Sequence, residues 1–470
     1  GEIKEASETY NVIGNMNEFQ VTIGETTFGG REELSDPHGI MDYGSLIYVA
    51  LQRSRTAKEA IKVMTDLVKE YGYYSSGESF SIADPNEAWI MEMIGKGPGV
   101  KGAVWVAVRI PDDCIAAHAN QARIHQFPLN DKDNCIYSPD VISFAREKGY
   151  FNGLNKDFSF ADAYCPLDFG GLRACEARVW SFYNMFCSGM GEMYLPYIQG
   201  KSKEPMPLYA KPDKKISVRD IQWAMRDHYE GTALDITNDV GATAYKMPYR
   251  LSPLTFEVNG QKYFNERPIS TQQSAFAFVA QMRANLPDAI GGVLWFGTDD
   301  AATSPLTPIY VTSTVVPECL RDGNGSMLKY SDTSMFWITN RVAQFAYLRY
   351  NIVGKHVREF VDMWENQMLE LVADMDTQIG SASNAKKARK VATELSVDNA
   401  QALFGAWTKL DKFLMVKYID GNVKGQDENG DFVDNGNGKD IPGVIEMPGY
   451  SEKWKRAVAA DKGEVLKVVK

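Results

Sequence analysis

Three short segments place polar side chains where the surrounding pattern calls for strand or core residues: Gly14-Asn15-Met16-Asn17-Glu18, His118-Ala119-Asn120-Gln121-Ala122-Arg123 and Arg173-Ala174-Cys175-Glu176-Ala177-Arg178-Val179-Trp180. Neutral amides such as Asn17 and Asn120 can donate hydrogen bonds to a developing oxyanion without adding a competing charge, which is what amide-bond cleavage requires. Each asparagine alone also fits a plainer role, closing a turn or satisfying a backbone group at a strand end. Arg178 has two readings. It favours a thiolate and holds carboxylates or carbonyls in place, or it pairs with Glu176 or another acid.

Other candidates carry less. The six cysteines (Cys114, Cys135, Cys165, Cys175, Cys187, Cys319) form no CxxC pair and no metal-ligand spacing with histidine, so they read as packing residues. The five histidines show neither HExxH nor HxH spacing, which argues against a histidine-based metal centre. Residues 427–440, DENGDFVDNGNGKD, imitate a calcium loop but place Phe432 where the EF-hand needs glycine and Gly438 where it needs glutamate, so a surface loop is expected. The basic run KKARK at 386–390 reads as a solvated helix face.

The elements around these residues follow from pattern. Residues 10–30 predict two short strand-like runs broken at Gly14-Asn15 and Gly24. Beyond Asp42 the period becomes helical, and Thr56-Ala-Lys-Glu59 is a capping box opening a second helix. From Phe80 to Ile110 strand chemistry returns, with runs apolar on both faces, as in a sheet buried between two layers. Residues 195–270 read as long loops and short strands with a helix near Val218 to His228. Another strand pair is expected over Gly292 to Phe296 and Pro308 to Thr314, and a 3.6-residue period runs from Met335.

The 470 residues are 44% hydrophobic and 24% charged, enough for a large core. Fifty basic and 61 acidic residues give a net charge of −11 with the signs interspersed, so neither nucleic acid nor an anionic membrane is an expected partner. No run reaches the roughly 18 to 20 apolar residues of a membrane span. Gly1 is not an initiator methionine, and the compartment stays open between cytoplasmic and, behind a leader, periplasmic or secreted. The many aromatics permit a homo-oligomer.

Taken together, GNMNE, SSGESFSIADPNEAWIMEMIG, HANQARI, RACEARVW and WFGTDDAATSPLTPIY resemble, in order, the signature stretches of the dipeptidase A family of cysteine peptidases. The resemblance implies an N-terminal-nucleophile hydrolase: an α+β, four-layer α-β-β-α sandwich over residues 1–332, with a mainly helical part at 333–470 packed on it and a surface loop near 424–442. It implies a cysteine nucleophile whose own α-amino group is the base, dipeptide substrates and no cofactor or metal. On the family pattern Asn17 and Asn120 match oxyanion-hole positions and Arg178 the arginine near the nucleophile. Trp295, Asp299 and Asp300 lie in a shared stretch and are candidates to line the substrate pocket, although packing suits Trp295 better. The chain departs from the pattern in one respect: it opens almost at GNMNE, so the nucleophile is expected in an N-terminal segment outside it, cleaved or bound as a partner. The alternatives are an acylase of the same fold and a binding protein without a nucleophile.

Overall fold

Gly14, at φ +54°, and Asn15 make the expected turn between Val12–Ile13 (β1) and Met16–Asn17 (β2) in the computed structural model, which describes residues 1–469. Gly24 does not break the chain. It lies inside an eight-residue strand, Thr22–Gly29 (β3), because pairing along its length with the next long strand outweighs glycine's weak strand preference. Two helices follow, Tyr43–Arg53 (α1) and Ala57–Tyr71 (α2). Thr56 caps α2 by accepting from the Glu59 N–H, while the Glu59 carboxylate returns to the Arg55 N–H, one residue earlier than the box predicts.

Gly77–Ala83 (β4), Ala88–Gly95 (β5) and Ala103–Ile110 (β6) form an antiparallel meander. Ile115–Ala116 (β7) leaves it, and Cys135–Tyr137 (β8) pairs with β6 to complete a seven-stranded sheet in the order β1-β2-β3-β4-β5-β6-β8. Alternation along the strands divides its side chains. Phe80, Ile82, Trp89, Met91 and Met93 pack on α1 and α2. Ile90, Ile94, Val104 and Val106 pack on Val141–Glu147 (α3) and Phe160–Tyr164 (α4). Gly77 must lack a side chain, since a Cβ would fall 1.9 Å from the Phe28 ring.

Next come Ala177–Phe186 (α5), Met190–Ile198 (α6), Tyr209–Ala210 (β9) and Val218–Ala224 (α7). An exposed hairpin, Thr255–Val258 (β10) and Gln261–Phe264 (β11), precedes a second antiparallel sheet. That sheet comprises Phe276–Gln281 (β12), Val293–Thr298 (β13) and Thr307–Tyr310 (β14), with Asp288–Gly291 (α8) between its first two strands. Met335–Leu348 (α9), Lys355–Gly380 (α10) and Ala385–Tyr418 (α11) cover one face. One apolar cluster joins Val293, Trp295 and Tyr310 of the sheet to Trp364, Met368 and Trp407 of the helices, so α9 to α11 share their core with the second sheet. On the other face Leu294 meets Met16 and Val311, with Phe278 beside them, where the two sheets touch.

Residues 427–440 are a largely exposed loop, and the Asp427 carboxylate is taken up by its own loop, accepting from the Asn429 and Asp431 N–H groups. Lys386, Lys387 and Lys390 are exposed, whereas Arg389 pairs with Glu18. No helix among the described residues is long and apolar enough to cross a membrane.

Candidate active site

Asn120 and Arg178, 58 residues apart, meet at the free edge of β3. The Arg178 Nη2 donates to the Asn120 Oδ1 at 2.8 Å and to the Ala119 carbonyl at 3.1 Å, while its Nε donates to the Ala174 carbonyl at 2.7 Å. Asn120 Nδ2 in turn donates to the Thr27 carbonyl at 2.6 Å. That amide has a second N–H, which makes no hydrogen bond among the described residues. Asn120 holds φ at +61°, a left-handed conformation that asparagine adopts more readily than most residues. Beside it lies a cavity of about 210 Å³ bordered by Phe28, Gln121, Cys165, Asp168 and Cys175.

A wide π-helical turn, Gly171–Glu176, opens α5 and places Arg178 in the first turn that follows. Such turns are uncommon and recur at functional sites. Burial, with the charge of Arg267 second, holds the Arg178 guanidinium below its ordinary pKa. The expected pairing of Arg178 with Glu176 does not occur. Glu176 takes Arg123 instead, Nε to Oε1 at 2.8 Å, and both side chains are almost fully buried. Arg123 also donates to the Ala117 and Pro207 carbonyls, and its N–H and that of Ile124 are held by Glu92 of β5. The loop carrying Asn120 is thus anchored on both sides by buried charge.

Asn17 is not part of this group. Its Nδ2 donates to the Leu51 and Ser54 carbonyls, each at 2.8 Å, and its Oδ1 accepts from the Phe19 and Val21 N–H groups, each at 3.0 Å. Every hydrogen-bonding position of the amide is therefore used, and none remains for an oxyanion. Its position also excludes it. β2 pairs with β3 at Thr22, five residues from Thr27, or about 17 Å along a strand. Trp295 is likewise a core residue: it is fully buried among the helices of the second sheet, with its Nε1 donating to Gln281 Oε1 at 3.1 Å.

Asp299 and Asp300 follow β13. Asp300 is saturated by the Ser270 and Tyr347 hydroxyls and the Ala302 N–H. Asp299 sits at φ +67°, 3% exposed, and its Oδ2 has no partner among the described residues. Burial and then the charge of Asp300 push its carboxyl up to about 8. It shares no hydrogen bond with Asn120 or Arg178.

His118 and two glutamates were missed in the sequence. His118 Nδ1 lies 2.6 Å from the Thr26 hydroxyl and Nε2 lies 2.7 Å from the Ser81 hydroxyl, two residues before Asn120. Burial, then the charges of Arg123 and Arg178, push it down to about 4, so the ring is neutral. On the opposite face of β3, the Thr27 hydroxyl donates to Glu78 at 2.8 Å, with Glu25 beside it. A usable signal existed, because Glu25, Glu78 and Glu92 are acids inside otherwise apolar or neutral strand runs. None of the thiols resembles an activated nucleophile: five of the six are buried, and burial pushes Cys135 up to about 12 and Cys165 and Cys319 up to about 11.

A neutral amide and an arginine thus meet beside a small cavity on a two-sheet α+β scaffold. The chain belongs to peptidase family C69, whose family model matches residues 1–363. It is 29% identical over 293 residues to a probable dipeptidase of Salmonella dublin, covering 61% of this chain and 59% of that protein. To a probable dipeptidase of Latilactobacillus sakei it is 27% identical over 324 residues, 67% and 61% of the two chains. To dipeptidase A of Lactobacillus helveticus it is 24% identical over 342 residues, 72% and 64%. The chain therefore spans about three fifths of the length of these curated relatives.

Proposed function

We propose that this chain is the body of a cysteine dipeptidase of the N-terminal-nucleophile type, with the nucleophile supplied by a segment outside residues 1–470. In this reading α1 and α2, the seven-stranded sheet, the three-stranded sheet and α9 to α11 are the four layers of an α-β-β-α sandwich. Residues 1–332 are the hydrolase core and 333–470 the part packed on it.

The observation that carries the reading is the Asn120–Arg178 pair, which joins two family stretches distant in sequence and keeps one amide N–H uncommitted. A cysteine thiol loses its proton to its own α-amino group and attacks the peptide carbonyl, and the free Asn120 N–H takes the oxyanion. The amine returns the proton to the leaving amino group as the C–N bond breaks, and water then cleaves the thioester. Arg178 fixes the Asn120 oxygen, so the amide presents its N–H in one orientation. Asp299 is kept as a substrate-binding residue on the strength of its buried, unpartnered oxygen, and Asn17 and Trp295 are dropped.

The test uses the protein at its natural length. Asn120→Ala should lower kcat on a dipeptide by about 10²-fold or more with the fold intact. A thiol alkylator should abolish activity and a chelator should leave it. Loss of activity on chelation alone, or full turnover in Asn120→Ala, refutes the reading.

A further inference from the structure

The face of β3 turned toward α1 carries a pair of acids that the reading above does not use. Glu25 and Glu78 lie side by side there, and Glu78 borders an open cleft of about 440 Å³ with Thr27, Tyr43, Tyr74, Ser75 and Ser76. Two acids alone would mean little. The added observation is that Glu78 is 1% exposed, borders the cleft and leaves its Oε2 without a partner among the described residues. The Glu25 Oε2 is buried as well, and no N–H or O–H donor among the described residues reaches either oxygen, so the one hydrogen bond open to them is through a proton that the two carboxyls share. A buried oxygen that no donor reaches costs about 1–3 kcal/mol, so two such carboxylate oxygens beside a cleft mark a place that a cationic donor would fill.

We infer that the cleft at Glu78, with Glu25 beside that carboxyl, binds a cationic nitrogen, a primary ammonium or a guanidinium, against Glu78 and the rings of Tyr43 and Tyr74. Among the described residues no basic side chain bonds to either glutamate, whereas a cation would meet the Glu78 oxygen at the cleft and gain from the aromatic faces. Burial and the neighbouring carboxyl push Glu78 up to about 9, so the empty site holds a proton that an arriving cation displaces. The cation has two sources. One is the free amino terminus of a dipeptide, which rests on the function proposed above. Thr27 suits that source: its hydroxyl holds Glu78 and its carbonyl holds Asn120, so the acid cleft and Arg178 lie on either side of one residue, as a zwitterionic substrate would require. The other source is a basic side chain of a protein segment.

Calorimetric titration of the chain with L-alanyl-L-alanine, N-acetyl-L-alanyl-L-alanine and methylguanidinium tests the site and separates the sources. Binding of the free dipeptide but not its acetylated form assigns the cation to substrate. Binding of methylguanidinium alone assigns it to a protein side chain. In either case Glu25→Gln with Glu78→Gln should weaken binding by tenfold or more. If neither cationic probe binds, if the free dipeptide binds and its acetylated form binds equally well, or if the double substitution leaves binding unchanged, the site is refuted. Hydrolysis is not measured, so failure here is distinct from failure of the dipeptidase reading, and the acetylation comparison needs no variant that must fold.

Discussion

Replacing Arg123 by methionine should be among the most damaging single changes in the chain. Methionine keeps the unbranched apolar stem of the side chain and removes the guanidinium and its charge. Arg123 is buried to within 3% of its surface, and its guanidinium donates to Glu176 Oε1 at 2.8 Å, the Ala117 carbonyl at 3.0 Å and the Pro207 carbonyl at 3.1 Å. Its loss leaves the carboxylate of Glu176, also 3% exposed, with only the Tyr197 hydroxyl at 3.5 Å. Breaking one side of a buried pair costs about 3–5 kcal/mol, because the remaining charge has neither water nor a partner. Replacing both residues, Arg123→Met with Glu176→Leu, removes the orphaned charge and should recover most of that loss, since buried pairs exchanged for apolar groups are often neutral. Urea denaturation of the wild type, both single variants and the double variant closes the cycle. A loss below about 1 kcal/mol in Arg123→Met, or a double variant no more stable than the single, would refute the assignment of this pair as the anchor of the Asn120 loop.

Three further outcomes are expected. Asn17→Ala should lower stability by about 1–3 kcal/mol, because two buried carbonyls and two N–H groups lose their partners, while turnover per folded molecule in the natural-length protein stays unchanged; a fall in kcat without a fall in stability would restore Asn17 to the site. Trp295→Ala should cost about 3–5 kcal/mol by leaving a cavity in the core of the second sheet, read by the same denaturation. His118 should make the fold acid-sensitive: its pKa is depressed from 6.5 to about 4, so between those values the unfolded chain binds more protons, and stability is complete above pH 6.5 and is lost as pH falls toward 4. The loss should approach about 3 kcal/mol, and His118→Gln, which carries no such proton, should flatten that part of the profile; an unchanged profile would refute the neutral His118.

Local pattern determined much of this protein. The Gly14-Asn15 turn, the helices after Asp42, the meander from Phe80 to Ile110 and the helical period after Met335 were legible because each depends on neighbours within a few residues, through turn chemistry, capping or apolar spacing. The order of shared stretches was enough to reach the family, and Asn120 and Arg178, which two of those stretches carry, bond to each other in the fold. Partner choice among buried polar groups was not legible. Asn17 and Asn120 are the same residue type at strand margins, yet one is consumed by four backbone bonds to α1 and the β2–β3 turn while the other keeps an N–H. Glu176 stands two positions from Arg178 but bonds to Arg123 across the fold, since side chains two apart on a helix point in different directions. Gly24 reads as a break and is carried through a strand because β4 lies alongside it. In each case the deciding quantity is which donor reaches which acceptor once distant segments pack and water is excluded, and only the tertiary structure supplies it.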